Sequence, residues 1–231
     1  MKLSIIMPVY NEQDTVAVVV EKVLSVALPV GIEKELVIVE DGSTDNTGKI
    51  LEAYGRHSLV KIITLPENSG KSNAVITGLK SAKGNILVIQ DADLEYCPSH
   101  YQVLLEPILS NSCMVVYGSR FLGSIKNMTV VNRWANRFST ATLNCLYQTS
   151  LTDLHTGMKM FKREVAEQLA LKSSGFSIDT EITCRVLNLG YQIIEKPIQY
   201  KARTKKEGKK ITWRSALETY GTLLACKWGS Q

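Results

Sequence analysis

The chain has 231 residues, 45% hydrophobic and 21% charged, with 27 Lys+Arg against 22 Asp+Glu and a net charge of +5. That balance suits one large folded domain, excludes a disordered chain, and by itself gives no case for nucleic-acid binding. No run approaches about 18 apolar residues, and Cys97, Cys113, Cys145, Cys184 and Cys226 show no CxxC or paired-His spacing; a spanning helix, a zinc site and a disulfide framework are all disfavoured, and a reducing, cytoplasmic setting is expected.

From the N-terminus, Leu3–Val9, Glu35–Val39, Val60–Leu65 and Asn85–Gln90 read as strands. They are short, rich in Val and Ile, and mostly apolar without alternation, as strands covered on both faces are. The first run is too short for a signal-peptide core. Asp14–Val26, Asp45–Tyr54 and Ser72–Ser81 alternate with them, each placing apolar residues on one helical face. Ser43-Thr44-Asp45 offers capping side chains, and Asn68-Ser69-Gly70 breaks the chain before the third helix. The resulting β-α-β-α-β-α-β series predicts a right-handed, doubly wound α/β sheet.

The second half is less regular. Met114–Gly118, Met158–Phe161 and Ile193–Ile198 read as strands, and Arg133–Tyr147 and Trp213–Trp228 as helices. Gly118–Asn127 and Lys201–Lys210 are polar, Gly-containing stretches expected to be mobile loops. No repeat or linker divides the chain, so a single domain over residues 1–231 is expected.

Ligands of an open parallel sheet bind beyond the carboxyl ends of its strands. Three acidic clusters fall there: Pro8-Val9-Tyr10-Asn11-Glu12, Glu40-Asp41-Gly42-Ser43, and Asp91-Ala92-Asp93-Leu94-Glu95. Their convergence would be repulsive without a cation or hydrogen-bond donors to offset it. Asp91 and Asp93 are two apart after the apolar run Ile86–Ile89, so in extended backbone both carboxylates face one side. A hard divalent cation with room left for diphosphate oxygens fits that pair. On spacing alone, two helix-capping or solvated aspartates would be the simpler reading, and the position after a buried strand decides against it.

Other motifs carry less. Ser69-Gly70-Lys71-Ser72 lacks the earlier glycine of a triphosphate-binding loop, since Leu65 stands there; Lys71 reads equally as an anion contact or a solvated lysine. No GxGxxG follows the first strand, which disfavours a dinucleotide-dependent dehydrogenase. His57 and His100 read as surface or packing residues, and the role of His155 is open.

Taken together, Ile6-Met7-Pro8-Val9-Tyr10-Asn11-Glu12, Val37–Asp45 and Asp91-Ala92-Asp93-Leu94 resemble the family 2 glycosyltransferases of GT-A fold. Gly118-Ser119-Arg120-Phe121, Asp153-Leu154-His155-Thr156-Gly157, Tyr200–Arg203 and Glu207–Lys210 resemble, within that family, the polyprenyl-phosphate sugar transferases of the dolichol-phosphate mannose synthase type. The resemblance covers nearly the whole chain and implies a Rossmann-like, mixed but mainly parallel sheet flanked by helices. Residues 1–118 would bind the nucleotide sugar, and residues 119–231 the acceptor. Pro8, Tyr10, Glu12, Val39 and Asp41 would line the nucleoside pocket, and Asp91, Ala92 and Asp93 would hold Mg2+ or Mn2+ and the donor diphosphate. Glu95, where the subgroup often has Gln, would be a third carboxylate at the metal. Arg120, Arg133 and, more weakly, Arg137 would meet the acceptor phosphate, while Arg203 and Lys209 would cover the donor diphosphate.

The implied activity is metal-dependent, inverting transfer of a hexose from a GDP-mannose or UDP-glucose type of donor to a polyprenyl or dolichyl phosphate. A phosphate acceptor is already ionised and needs little general-base help, so positioning and leaving-group stabilisation would dominate. The implied setting is the cytoplasm, with peripheral contact at the cytoplasmic face of a membrane and room for a separate membrane subunit. Trp213–Trp228 could lie on a bilayer, pack on the sheet or form a dimer contact, and packing is favoured. The rival readings are a family 2 transferase acting on a sugar hydroxyl, a sugar-1-phosphate nucleotidyltransferase, and a non-catalytic nucleotide-sugar-binding module. Tyr10-Asn11-Glu12 in place of a Gly-rich basic loop opposes the second, and the intact acidic cluster opposes the third.

Overall fold

A computed structural model describes residues 1–172, 177–203 and 213–228. The chain runs β1 (Lys2–Val9), α1 (Val16–Ser25), β2 (Glu33–Glu40), α2 (Thr47–Glu52), β3 (Val60–Thr64), α3 (Lys71–Ser81) and β4 (Ile86–Ile89). After a 3-10 turn at Pro98–His100 come α4 (Tyr101–Leu109), β5 (Val115–Lys126), α5 (Val130–Tyr147), β6 (Lys159–Lys162), α6 (Arg163–Gln168), α7 (Ile178–Asn188), β7 (Ile193–Lys201) and α8 (Trp213–Trp228). The described strands form a seven-stranded sheet in the order β3-β2-β1-β4-β6-β5-β7. Only β6 runs against its neighbours, pairing antiparallel with β4 and β5. The α/β class and the mixed, mainly parallel sheet are as expected, with β6 the reversed strand.

Alternate residues of the central strands feed two cores. Leu3, Ile5 and Met7 of β1 join α1 and α4 on one face, where Val16, Val19, Tyr101 and Leu104 are buried. Ile6 of β1 and Val37 and Val39 of β2 join α3, α6 and α7 on the other, against Ala74, Val75, Val165 and Ile182. Burial on both faces explains why these strands read as continuous apolar runs. A smaller cluster of Leu143, Leu151, Leu154, Cys184 and Leu223 ties α5, α7 and α8 together. Helix α8 therefore packs on the domain, as favoured from its sequence.

Two expectations change. The stretch Gly118–Asn127 is mostly strand rather than loop, because β5 continues to Lys126 and pairs with β7 through Ser124↔Gln199 and Ile125↔Tyr200, with an irregularity after Ser119. Helices α4, α6 and α7 also occupy sequence in which no element was foreseen. The five cysteines are all free thiols. Among the described residues no helix is long and apolar enough to cross a membrane.

Candidate functional site

The loops after β1, β2 and β4 meet at the carboxyl edge of the sheet. After β1, Asn11 takes φ 51°, a left-handed conformation that Asn tolerates better than most residues. Its N–H donates to Ser43 Oγ at 3.0 Å, and its Oδ1 accepts from the Thr44 N–H at 2.8 Å. These bonds stitch the first two loops together. Asp41 is buried, and its carboxylate accepts the N–H groups of Ser69 at 2.8 Å and Gly70 at 2.9 Å. Its first role is thus to hold the loop that starts α3, while it still borders the cleft.

After β4 the chain turns at Leu94, which has φ 61°, an uncommon conformation for a leucine. The two aspartates before it each hold a cation from elsewhere in the fold. Asp91 Oδ1 pairs with Lys71 Nζ at 2.9 Å, and the same ammonium lies 3.4 Å from Asp179 Oδ2. Asp93 Oδ2 pairs with Arg203 at 3.1 Å, and the other arm of that guanidinium binds both oxygens of Glu12 at 3.0 and 2.9 Å. Gly157 sits directly against Asp91: a Cβ there would run into the Asp91 carboxylate.

Burial, with Asp91 and Glu95 close by, raises the Asp93 pKa to about 7, although Arg203 pulls it down. Burial lowers the Lys71 pKa, but Asp179 and Asp91 outweigh it and the net shift is upward. The site is therefore an acidic pocket neutralised by its own cations. Glu95, expected as a third carboxylate at a metal, lines the same cleft and also braces the end of β7. Its oxygens accept the Arg203 N–H at 2.6 Å and the Tyr200 hydroxyl at 2.7 Å. Among the described residues no three His, Cys, Asp or Glu side chains form a metal cage. Asp91 and Asp93 offer hard oxygen donors to Mg2+ or Mn2+ but need further oxygens from a bound diphosphate or water.

The other wall of the cleft comes from β5, α5 and the loop before β6. Arg120 forks onto fully buried Asp153, with Nε–Oδ2 and Nη2–Oδ1 both 2.7 Å, and lies 4.9 Å from the Tyr200 ring centroid. Burial opposes the charge on each partner, yet Arg120 holds the Asp153 pKa below its usual value. Asn136 donates to Asp153 Oδ1 at 3.3 Å. His155 Nε2 lies 2.8 Å from Ser139 Oγ, and burial together with Arg120 lowers its pKa to about 4, so it is neutral at pH 7.

A cleft of about 980 Å3 joins these parts. Of the residues expected from sequence, Pro8, Tyr10, Glu12, Asp41, Asp91, Ala92, Asp93, Glu95, Arg120 and Arg203 line it. Val39 does not: it is fully buried in the α3 face of the sheet, opposite Gly78. Arg133 and Arg137 do not line it either. Helix α5 turns Asn132, Ala135, Asn136 and Ser139 into the cleft, and a step of about 100° per residue carries the two arginines to its side. Arg137 instead stacks 5.7 Å from Phe121. Lys209 lies outside the described residues. Asp179, Tyr96, Asn136 and Ser139 line the cleft without having been singled out, and the open alternatives for Lys71 resolve as an ion pair with Asp91. Asp179 opens α7, where an acidic first turn was the available signal.

The profile described as Glycosyl transferase family 2 matches residues 4–170. A dolichol-phosphate mannosyltransferase of Pyrococcus furiosus is 29% identical over 213 residues, covering 90% of this chain and 59% of that protein. A low-salt glycan biosynthesis hexosyltransferase of Haloferax volcanii is 29% identical over 204 residues, with 87% and 48% covered. The chain thus spans only about half to three-fifths of these two relatives. A polyprenol monophosphomannose synthase of Mycolicibacterium smegmatis is 27% identical, with 86% and 77% covered. Among solved structures, glucosyl-3-phosphoglycerate synthase of Mycobacterium tuberculosis with Mn2+, uridine diphosphate and glucosyl-3-phosphoglycerate superposes with a TM-score of 0.75. It is 18% identical and covers all of this chain and 81% of that one. At that identity the likeness shows the fold.

Proposed function

The chain belongs to glycosyltransferase family 2, and from that premise we propose that it moves a hexose from a nucleoside-diphosphate donor to a polyprenyl or dolichyl phosphate. The observation that carries this reading is the two-sided cleft. An acidic, cation-compensated edge at Asp91 and Asp93 faces buried Arg120 across a wall that continues into apolar Met128, Val131, Ala135 and Phe138. A donor carrying two phosphates and an acceptor carrying one would otherwise repel each other, and an apolar chain on the acceptor suits the far end. The names of two relatives, a dolichol-phosphate mannosyltransferase and a polyprenol monophosphomannose synthase, support the same acceptor class.

In this reading Asp91 and Asp93 would hold Mg2+ or Mn2+, a choice supported by the Mn2+ and uridine diphosphate found together in the fold neighbour glucosyl-3-phosphoglycerate synthase. The metal supplies charge neutralisation for the departing diphosphate. Pro8, Tyr10, Glu12, Asp41 and the backbone at Ala92 bound the nucleoside side. Arg203, which spans Glu12 and Asp93 at the cleft, would contact the donor diphosphate. Arg120, oriented by Asp153, faces the acceptor phosphate. A phosphate oxygen attacks the anomeric carbon in line while the bond to the donor diphosphate breaks and its electron pair leaves with the diphosphate. No proton has to be removed, and the anomeric configuration inverts.

One observation favours a hydroxyl acceptor. Such a reaction needs a general base, and Asp179 Oδ1 is buried at the cleft with no hydrogen-bond partner among the described residues. The deciding assay incubates the protein with Mn2+, a short-chain polyprenyl phosphate and, in turn, labelled GDP-mannose, UDP-glucose and related donors. One donor giving a lipid-phosphate sugar of inverted configuration supports the proposal. Retained configuration, or label found only on hydroxyl acceptors, sinks it.

A further inference from the structure

Helix α5 is inside out. Its buried residues include Asn136, Ser139 and Thr140, all polar, whereas Val130, Val131, Trp134 and Phe138 are 65–76% exposed on the opposite side. A surface helix ordinarily keeps its apolar stripe against the core. Here the polar side serves the cleft, through Asn136 on Asp153, Ser139 on His155 and Thr140 on the Leu154 N–H. The apolar side is left facing outward. A contiguous apolar patch of this kind marks a contact with something other than water.

Charge says what that contact is. No Asp or Glu occurs between Glu106 and Asp153, while Lys126, Arg133 and Arg137 flank the patch. Arg137 is exposed and Arg133 half-buried beside the stripe. An amphipathic helix with aromatic and aliphatic residues on one face and arginines at its edge suits an anionic lipid surface. The cleft supplies continuity, because Val131 and Phe138 belong both to the exposed stripe and to the cleft wall. We infer that the outer face of α5 docks on an anionic bilayer, with Trp134 and Phe138 at the headgroup–acyl boundary and the cleft opening into the membrane. A lipid chain could then leave the cleft without crossing water, a point that rests on the lipid-phosphate reading; the docking itself rests on the helix.

The test uses the full chain and vesicles of phosphatidylcholine with and without phosphatidylglycerol, read by co-sedimentation at low and high salt. The variant is Val130→Ser with Trp134→Ser, two positions outside the cleft wall, with a thermal melt to confirm folding. Binding that requires the anionic lipid, weakens with salt and falls by about tenfold or more in the variant is expected, the size of losing one buried large apolar side chain. Transfer to a short-chain, detergent-free acceptor should stay unchanged in the variant. No vesicle binding, binding that survives the double substitution, or a dimer in solution that the substitution dissociates would overturn the inference. Trp134-dependent vesicle binding without sugar transfer to any lipid phosphate would leave docking intact and remove the acceptor reading. Transfer to the short-chain acceptor without vesicle binding would do the reverse.

Discussion

If Asp93 is a metal ligand as proposed, its raised pKa makes metal binding a titration. With its pKa near 7, the side chain is about half protonated at neutral pH in the metal-free protein. A divalent cation needs the carboxylate, so binding below pH 7 must expel a proton. For a pKa of about 7 the affinity is reduced by a factor of roughly 11 at pH 6 and roughly 2 at pH 7, and by almost nothing at pH 8. The difference between pH 6 and pH 8 is thus about tenfold, or about 1.4 kcal/mol. The sign is fixed: burial and the neighbouring carboxylates raise the pKa, so affinity is complete above it and lost as pH falls through it. The same raised pKa makes the Asp93 contribution to metal-free stability decline as pH rises from its unfolded value toward 7. Titrating Mn2+ at pH 6, 7 and 8, with free Mn2+ read by electron paramagnetic resonance, measures the effect. Asp93→Asn should bind more weakly and lose this dependence, and Arg203→Ala should move the midpoint to higher pH because Arg203 normally lowers that pKa. An affinity flat from pH 6 to pH 8 in the native protein would refute the reasoning.

Three further outcomes follow from named contacts. Gly157→Ala pushes a methyl group into the Asp91 carboxylate, and Mn2+ affinity should fall about 10–100-fold while the urea midpoint moves little. Asp153→Ala leaves the Arg120 guanidinium buried and unpaired, which should cost about 3–5 kcal/mol in urea unfolding, with the Arg120→Met, Asp153→Leu double variant recovering much of it. Arg203→Lys keeps the charge but cannot span Glu12 and Asp93 as a fork; kcat should fall roughly 100-fold, with a smaller change in nucleotide affinity measured by calorimetry.

The first half of the fold was legible because β1, β2 and β4 are buried on both faces, and continuous Val/Ile runs are what such strands look like. Helix α4 was not, since Pro107 sits inside it and suggests a break. Helix α7 was missed because Thr180, Glu181 and Thr183 are buried along with its apolar residues, which erases the periodic signal. The outer half of β5 reads as a loop because it is mostly exposed and held by β7, a partner far away in sequence.

In the site, carboxylates at strand ends were visible as motifs. Their neutralisation was not, because Lys71 and Arg203 reach Asp91 and Asp93 from separate elements. Val39 shows the limit of motif transfer: it lies among cleft-forming residues in sequence, yet strand alternation turns it toward α3. Arg133 and Arg137 show another, because only the rotation of α5 decides which of its residues meet the cleft.

The most direct test of the account is where the transferred sugar lands. Phosphorus NMR of the lipid product, made with Mn2+ and the preferred donor, distinguishes a phosphodiester from an untouched monoester. The account expects the acceptor monoester signal to give way to a phosphodiester, with no conversion in chelator or in Asp93→Asn. A sugar joined to a hydroxyl while the phosphate monoester persists would contradict it.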